Sequence, residues 1–594
     1  MKTHFSTFRT HLATLSDRMT IPILSEWPFM FIFILLMGLK NVIVQVAKTG
    51  YGMTENGDPV SMLTLSGWVS IWFIMAYILA TIIVLCRSSY IKGAIYIITF
   101  LLFLVHHFLM RNFTMRIGPE CILLLAETTR DEATGFIFQN IFTPTILPTL
   151  KTPVAYLLLS IGLEIWWTHI KRRIHPTHAV RAALTLATLA IITPGLYTSR
   201  IYNDIRHETS PDNIYLMPYP EDPVSSIYAA CASIRAMEAC ISHSVQITKE
   251  ACAACPPNDT TPDSLNIVLV IGESYIKWHA QIYGYDLSTT PRLKQEQEEG
   301  KLFVFNNVLT PSNLTTEVMK NLLCCNNQSE GEEWHTYPFF PAIFKTAGYE
   351  VYFWDNQLDV DPAATYSFTL NSLLYNPDIR SLSYTQTNTQ SFDWDGDIIQ
   401  SYQENVGKLH TPRNLVMFHL IGQHHDVKAH FPAKTFSRFT ADSIHRKAPY
   451  LDREKLQYIA EYDNATLYND YVMSQIINIF KQEQTVLIYL SDHGEEVYDY
   501  RDQCHRDQEP ITPNKLKYQY EIPFVIWCSA SYQKAHPETM ESIRMATERP
   551  FMIDNLCHLL FHLGGIKSPF YKATYDLISP QYNATKRLIK GKHY

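Results

Sequence analysis

Long apolar stretches recur through the first 200 residues of this chain. A helix needs about 20 apolar residues to cross a bilayer. Five stretches meet or approach that length: Trp27–Ala47, Trp68–Cys86, Gly93–Met110, Val154–Ile170 and Ala182–Tyr197. So many in so short a segment are not expected of buried helices in a soluble domain. The pattern predicts an α-helical membrane domain of five spans over residues 1–200.

Positive charge is unevenly distributed among the turns. Lys and Arg precede the first stretch and crowd the turns after the second and the fourth, whereas the alternate turns mix both signs of charge. Because positively charged loops stay in the cytoplasm, the amino terminus is predicted to be cytoplasmic. An odd number of spans then places the carboxyl-terminal half outside. The first stretch has no cleavage site of the signal-peptide type, which predicts a retained anchor.

The pattern changes in the second half of the chain. Short β-type runs alternate with helical segments there, which predicts a doubly wound α/β domain over residues 263–594. A polar connector, residues 201–262, lies between the two halves and includes a predicted helix at 224–247. The predicted strands include residues 266–271, 350–354, 414–418 and 485–490, and the predicted helices include 337–347 and 455–482.

Charge and cysteine content narrow the class of protein. A net charge of −8, with no Lys/Arg run that suggests such a partner, argues against a nucleic-acid partner. Four connector cysteines favour disulfides, because an extracytoplasmic compartment permits them. A zinc site is the alternative, because the last two have the spacing of metal ligands. The sequence leaves the pairing open. These cysteines are Cys231, Cys240, Cys252 and Cys255.

Acidic and histidine side chains follow two of the predicted strands directly. Glu273 comes after the run 266–271, and Asp492 and His493 come after 485–490. Sites in α/β proteins are built at the carboxyl ends of strands. Two carboxylates and one imidazole form a metal site with an open ligand position, as catalytic zinc requires. One acidic strand end could simply cap a helix, but two in one sheet predict a metal site.

Hydroxyl and histidine side chains supply further candidates. The hydroxyl-rich segment 308–320 enters a predicted helix, where a Ser or Thr is either a cap or a nucleophile. His419, His424 and His425 follow the run 414–418, and His505 lies beyond the Asp-His pair. Several histidines at one sheet edge predict a second metal or a pocket for an anionic substrate.

An ordered set of motifs runs through the second half. It includes Gly272-Glu-Ser274, the spacing from Val308 to Thr315, His419-Leu-Ile-Gly-Gln-His424 and Ser491-Asp-His-Gly-Glu495. With the five spans, this set resembles the phosphoethanolamine transferases of the bacterial inner membrane, in the alkaline phosphatase and sulfatase superfamily. The resemblance implies an alkaline-phosphatase-like (sulfatase-like) α/β domain with a central mixed, mostly parallel sheet after the five-span membrane domain.

The resemblance also implies roles for individual residues. It implies one zinc ion held by Glu273, Asp492, His493 and Thr315, with Thr315 as the nucleophile and its neighbour Thr316 as the alternative. The positions of His424 and His505 match those that hold a second zinc or the substrate phosphate. The segment Asp355, Asn356 and Gln357 falls where the family contacts the ethanolamine head group.

The implied reaction moves phosphoethanolamine from phosphatidylethanolamine to a lipid A phosphate or an envelope glycan through a phosphothreonine. A phosphoglycerol transferase that uses phosphatidylglycerol is the nearest alternative. A sulfatase is disfavoured, since segment 310–313 lacks the convertible cysteine and the arginine of that signature. An inactive membrane sensor is the non-enzyme alternative. The chain departs from many family members at Pro311, where they carry a disulfide-forming cysteine.

Overall fold

The computed structural model describes residues 2–593 except 40–41, 44–51, 54–58, 113–116, 119–146, 210–213, 215–216, 221, 256–262, 358–372, 375, 410, 425–426, 505, 507–510, 585–586 and 590–591. The chain forms two compact units, Met1–Ala239 and Cys240–Tyr594. The boundary between them falls inside one long helix, Pro223–Ala254.

Long helices dominate the first unit, and each of the five predicted spans overlaps one. The first predicted span, Trp27–Ala47, continues from its α-helix into a π-helical segment, Leu35–Leu39, and its residues 40–41 and 44–47 lie outside the described part of the chain. The apolar side chains of these helices face outward to an extent that water would not favour: Leu85, Leu158 and Leu186 are 74%, 65% and 68% exposed. The prediction of five apolar amino-terminal helices is confirmed. In chain order these helices are α1 (Lys2–Ile34), α2 (Met62–Cys86), α3 (Ser89–Asn112), α4 (Leu147–Ile170) and α5 (His178–Thr198), followed by α6 (Arg200–His207) and α7 (Pro223–Ala254).

The helices that are long and apolar enough to cross a membrane differ in two places from the predicted spans. Helix α4 carries Lys151 and Glu164 within its apolar run and is not among the candidates for crossing a membrane. Helix α7, predicted only as a connector helix over 224–247, is longer than expected and qualifies. By length and apolarity, the candidates among the described residues are Ala13–Leu39, Met62–Cys86, Ser89–Arg111, His178–His207 and Pro223–Ala254.

One polar cluster joins three of the apolar helices. Lys92 of α3 lies 2.7 Å from Glu26 of α1 and 2.8 Å from Glu164 of α4. The hydroxyl of Tyr96 donates to the other oxygen of Glu164 at 2.7 Å. Charges within apolar helices are costly unless they are paired. This cluster satisfies its members by pairing them and so links α1, α3 and α4.

A seven-stranded mixed sheet forms the centre of the second unit, and it confirms the predicted fold class. Its strands in chain order are β1 (Leu265–Gly272), β2 (Leu302–Val304), β3 (Glu350–Asp355), β4 (Gln386–Thr387), β5 (Arg413–His419), β6 (Thr485–Ser491) and β7 (Phe524–Cys528). They lie in the order β2-β7-β6-β1-β5-β3-β4. Strands β6, β1, β5, β3 and β4 are parallel, whereas β7 runs antiparallel to both β6 and β2.

Both faces of this sheet are covered. Every residue of β1 and β6 is buried, as expected of central strands between two layers of helices. Helix α13 contributes sixteen buried residues, many of them to the core that contains Val268 and Tyr489. The described helices of this unit are α8 (Pro291–Glu298), α9 (Thr315–Leu323), α10 (Phe340–Thr346), α11 (Pro377–Ser383), α12 (Asp395–Asn405), α13 (Arg453–Phe480), α14 (Ala530–Ala535), α15 (Pro537–Ala546) and α16 (Leu556–Leu563), with shorter helical turns between them.

Of the connector cysteines, Cys231, Cys252 and Cys255 form no disulfide in this structure, which differs from the favoured disulfide interpretation. Cys231, Cys240 and Cys252 lie on the single helix α7, and Cys255 follows its last residue. Cys240 lies nine positions after Cys231 on this helix, a rise of about 13.5 Å. Disulfide bonding requires Cα atoms within about 7 Å. The two thiols therefore cannot bond to each other.

Candidate active site

The two adjacent strands β1 and β6 bring the predicted metal ligands together. Gly272 and Ser491, the last residues of these strands, are register partners, so Glu273 and Asp492 emerge side by side. The nitrogen Nε2 of His493 lies 3.3 Å from Glu273 Oε1 and 3.1 Å from Asp492 Oδ2. All three side chains are fully buried. One ligand atom from each lies within 4.8 Å of the others, close enough for one metal ion.

Thr315 completes this cluster from a different element. It is the first residue of α9, whose cap position is Leu314 and carries no side-chain cap. The Thr315 hydroxyl Oγ1 lies 3.1 Å from Glu273 Oε2 and 3.2 Å from His493 Nε2. A helix amino terminus favours a neighbouring negative charge. The hydroxyl therefore stands where both an anion and a metal ligand are accommodated.

An unusual backbone conformation aligns the two carboxylates. Ser274 has a positive φ of 56°, which costs a residue with a side chain roughly 1–3 kcal/mol. In this conformation its backbone N–H donates to Asp492 Oδ1 at 3.1 Å. Its hydroxyl donates to Glu273 Oε1 at 2.7 Å. Ser274 thus orients both carboxylates toward the space that they share with His493.

Burial and mutual charge set the protonation of the cluster. Burial raises the pKa of Asp492, and the neighbouring charge of Glu273 raises it further. Burial also opposes the ionised form of Glu273, but His493, His424 and Arg506 outweigh it and lower the pKa of that carboxyl. Burial, assisted by the charge of Arg506, lowers the pKa of His493 to about 3, so its imidazole is neutral at pH 7.

The donor set fits a metal ion. The ring nitrogen Nδ1 of His493 donates to the Gly494 carbonyl at 2.9 Å, which leaves the lone pair of Nε2 facing the carboxylates. Oδ2 of Asp492 is buried and has no hydrogen-bond partner among the described residues. An unprotonated imidazole nitrogen, two carboxylates and a hydroxyl suit zinc.

The predicted head-group segment lies beside this cluster. Gln357 Nε2 donates to Glu273 Oε2 at 3.1 Å and to the Leu420 carbonyl at 2.9 Å. Asn356 is buried; its amide donates to Asp395 and accepts from the Phe392 backbone N–H. Asn356 thereby joins neighbouring loops, while Gln357 contacts a metal-ligand candidate. The assignment of Asn356 and its neighbours to the head group stays a prediction.

The turn after β5 packs directly on Glu273. The backbone N–H of Gln423 donates to the Glu273 carbonyl at 3.0 Å. Gly422 has a φ of +51°, and a Cβ there would lie 2.7 Å from that same carbonyl oxygen, so the close approach requires glycine. His424, next in this turn, is half-buried and near enough to lower the pKa of Glu273. Its proposed role at a second metal or the phosphate stays a prediction.

Two of the predicted histidines fall outside the described part of the chain, namely His425 and His505. His419 is fully buried, and its Nδ1 lies 2.9 Å from Asp355 Oδ1.

Arg506 is not among the site residues that the sequence pattern predicts. Its Nη1 contacts His493 Nε2 and donates to the Asn313 carbonyl at 2.8 Å. Its Nε lies 3.2 Å from Glu495 Oε2. A single arginine in an irregular loop has no periodicity or spacing that would mark it beforehand.

A buried charge network supports the loop that follows Asp492 and His493. Imidazole nitrogens of His279 lie 2.6 Å from Asp463 and 3.0 Å from Asp499, and Arg446 lies 2.9 Å from Asp499. Tyr285 donates to the second oxygen of Asp463 at 2.8 Å. Burial opposes a charged His279, but the two carboxylates outweigh it and raise its pKa to about 9. The imidazole is therefore charged at pH 7.

This network predicts a pH-dependent contribution to stability. The pKa of His279 is higher in the folded state, about 9, than the unfolded value of about 6.5. The charged imidazole therefore stabilises the folded state fully below pH ~6.5, and this stabilisation is lost as the pH rises through about 9. We expect the difference in unfolding temperature between wild type and His279→Gln to be largest near pH 6 and to shrink toward pH 10, measured by circular dichroism. The exposed His445, replaced by Gln, serves as the control and should show no such trend. A difference for His279→Gln that stays constant over this range would contradict the prediction.

Comparison with known proteins found a matching family and several relatives. The family described as Sulfatase matches residues 265–566. Phosphoethanolamine transferase EptC of Escherichia coli (strain K12) is 27% identical over 486 residues, which cover 80% of this chain and 79% of that protein. Phosphoethanolamine transferase CptA of Salmonella typhimurium is 25% identical over 489 residues, with the same shares covered. The C-terminal periplasmic domain of E. coli EptC, solved as a complex with Zn, is 29% identical, with a TM-score of 0.48 over 57% of this chain and 93% of that one.

Proposed function

We propose that this chain, which belongs to the sulfatase family and within it to the phosphoethanolamine transferases, moves phosphoethanolamine from phosphatidylethanolamine to a cell-envelope acceptor. The acceptor is a lipid A phosphate or an envelope glycan. The observation that carries the proposal is the convergence of Thr315 Oγ1 on Glu273 and His493 at the amino terminus of α9. A hydroxyl among buried metal ligands is the arrangement that a phosphoryl-transfer nucleophile needs.

The proposed metal is zinc, held by Glu273, Asp492, His493 and Thr315. Zinc, when bound, supplies a Lewis acid that lowers the pKa of a coordinated hydroxyl and offsets charge on phosphoryl oxygens. The chain's own residues prepare that site. Ser274 and Gln357 fix the oxygens of Glu273, and the Gly494 carbonyl fixes the tautomer of His493. A second zinc near His424 and His505 is part of the proposal.

The proposed reaction has two displacements. Thr315 Oγ forms a bond to the phosphorus of the donor, and the bond from phosphorus to the glycerol oxygen breaks, so that diacylglycerol leaves with a proton. An oxygen of the acceptor then attacks the phosphothreonine, and Thr315 is regenerated. The amino terminus of α9 favours the negative phosphoryl group in both steps. Buried, preorganised groups need little rearrangement during either displacement.

The apolar helices are consistent with lipid substrates. A donor that stays in a bilayer has to meet the site at the membrane surface, and five helices among the described residues are long and apolar enough to cross a membrane. We propose that the protein resides in the bacterial inner membrane with a cytoplasmic amino terminus and its catalytic domain in the periplasm. The negative net charge, and the lack of any basic run longer than the three residues 171–173, argue against a nucleic-acid partner.

A covalent-adduct experiment tests the proposal. We expect purified, zinc-loaded protein incubated with phosphatidylethanolamine and no acceptor to gain the mass of one phosphoethanolamine group, because the second displacement then has no acceptor. Intact-protein mass spectrometry measures the gain, and peptide mapping should assign it to Thr315. Protein incubated without lipid is the control.

Other outcomes of that experiment are equally informative. A phosphoglycerol-sized gain with phosphatidylglycerol, and none with phosphatidylethanolamine, would replace the proposed donor. Diacylglycerol release without an adduct would indicate rapid hydrolysis of the phosphothreonine. Neither adduct nor diacylglycerol from either lipid would contradict the transferase proposal.

A further inference from the structure

Arg506 brings a guanidinium group into the cluster of Thr315, Glu273 and His493. Its Nη1 contacts His493 Nε2 and donates at 2.8 Å to the carbonyl of Asn313, two residues before the nucleophile candidate. Its side chain is 21% exposed, so solvent reaches part of it. Arg506 thus contacts a buried metal-ligand candidate and is itself partly exposed to solvent.

Glu495 fixes the direction of this side chain. Its carboxylate Oε2 lies 3.2 Å from Arg506 Nε, and its side chain is only 6% exposed. An ion pair with one buried partner restricts the long arginine side chain to few conformations. The Asn313 carbonyl restrains the far end of the group. Two anchors on opposite sides therefore hold the guanidinium plane in the site.

The contact with His493 is incompatible with a metal at the same nitrogen. Nε2 has one lone pair, and a metal ligand uses it. When His493 binds a metal, the N–H of Arg506 Nη1 that faces His493 needs another acceptor. That acceptor has to lie close enough for Arg506 to keep its contacts with Glu495 and Asn313. The guanidinium has five N–H groups, and the described anchors engage Nε and Nη1. An oxygen of a phosphoryl group bonded to Thr315 would meet this requirement.

Charge balance favours the same conclusion. The two carboxylates of Glu273 and Asp492 neutralise a divalent ion, and His493 is neutral. A phosphodiester brings a further negative charge, and its displacement spreads that charge over the equatorial oxygens. Arg506 supplies a permanent cation at this position, in a planar form that matches two phosphate oxygens at once.

We propose that Arg506 is a catalytic residue that binds the transferring phosphoryl group of a phosphodiester substrate and stabilises its charge. This inference deepens the proposed function and rests on it for the identity of the donor. The recognition of phosphate by Arg506 does not depend on the proposed function. The substrate class is therefore defined by the phosphoryl group and not by the head group.

The test compares Arg506→Ala, Arg506→Lys and the control Arg501→Ala in the full-length, zinc-loaded protein. Arg501 lies in the same loop and pairs with Glu496 at 2.6 Å, so its removal also breaks an arginine–glutamate pair. Inorganic phosphate binding is measured by calorimetry, and zinc content by elemental mass spectrometry. Donor turnover is measured as diacylglycerol released from phosphatidylethanolamine vesicles, with and without added guanidinium.

We expect Arg506→Ala to keep its zinc, to bind phosphate at least ~10-fold more weakly, and to lose ~10²–10³-fold in turnover, as when one charge-stabilising donor is removed. Added guanidinium should restore part of that turnover, which a merely structural role would not allow. Arg506→Lys should fall between wild type and Arg506→Ala, since an ammonium lacks the planar fork. Arg501→Ala should keep its phosphate affinity and show no rescue.

Unchanged phosphate affinity in zinc-replete Arg506→Ala would overturn the inference, and so would loss of zinc, because Arg506 would then support the metal site. If Arg506→Ala does not fold, Arg506→Lys decides, and wild-type affinity and turnover in that variant would overturn it. Phosphate binding that depends on Arg506 in a protein that releases no diacylglycerol would sustain the inference and contradict the proposed donor.

Discussion

Replacing Thr315 by alanine is expected to reduce phosphoethanolamine transfer on the order of 10⁴- to 10⁶-fold, the range seen when a member of a nucleophilic triad is removed. The reason is that Oγ1 is the atom proposed to bond to phosphorus, and it lies 3.1 Å from Glu273 and 3.2 Å from His493. Alanine leaves no oxygen at this position. Zinc should remain, because the other three proposed ligands come from the ends of β1 and β6 and do not depend on α9. Transfer is measured as diacylglycerol release, and zinc by elemental mass spectrometry.

Thr316→Ala is the matched control for this prediction. Thr316 is the next residue of the same helix turn, so its replacement changes helix propensity and packing similarly but leaves Oγ1 of Thr315 in place. Thr315→Ser should retain part of the activity, because it keeps the hydroxyl. Full activity in Thr315→Ala together with loss in Thr316→Ala would move the nucleophile to Thr316.

Replacing Asp492 by asparagine is expected to weaken zinc binding by more than ~100-fold, beyond the 10- to 100-fold typical of residues that merely support a ligand. The amide preserves the shape of the side chain and can keep the oxygen that accepts from Ser274 and from the His493 backbone. It places an N–H₂ group where Oδ2 now has no hydrogen-bond partner. That group cannot coordinate a cation.

The stability of Asp492→Asn relative to wild type should depend on whether zinc is present. In the metal-free protein the change removes repulsion between two buried carboxylates. The metal-free variant should therefore unfold at a temperature no lower than that of metal-free wild type. Saturating zinc should stabilise wild type by about 2.7 kcal/mol at 100 times its Kd, and Asp492→Asn hardly at all. Thermal unfolding with zinc and with chelator measures both effects. Asp442→Asn, in an exposed ion pair with Arg453, is the control. Wild-type zinc stabilisation in Asp492→Asn would contradict the ligand assignment.

The central strands could be predicted from the sequence because they are continuous apolar runs that end at chemically distinctive residues. The run 266–271 became β1, Leu265–Gly272, and the run 485–490 became β6, Thr485–Ser491. Glu273, Asp492 and His493 follow at once, so the topology of parallel strands was enough to bring them together. The edge strands Leu302–Val304 and Gln386–Thr387 are too short for any periodicity to indicate.

Other parts of the site depend on information that a linear pattern does not carry. The left-handed conformation of Ser274 and the approach of Gly422 to the Glu273 carbonyl follow from how loops pack in three dimensions. The contacts of Gln357 and Arg506 likewise require side chains from separate loops to converge. Helix α7 exceeded its predicted bounds because its small residues, Ala, Ser and Cys, give no strong amphipathic period to mark its end.

The position of β1 between β5 and β6 governs when the site can form during biosynthesis. Ser274 and Asp492, joined by a hydrogen bond, are 218 residues apart in sequence. A ribosome makes about 5–20 residues per second, so the first carboxylate waits on the order of 10 s or more for its partner. During that interval the edge of β1 that later pairs with β6 has no partner strand. An apolar strand with such an open edge is prone to aggregation. The apolar helices precede β1 in the chain, so a nascent protein tethered by them would keep such strands apart from one another until translation passes His493.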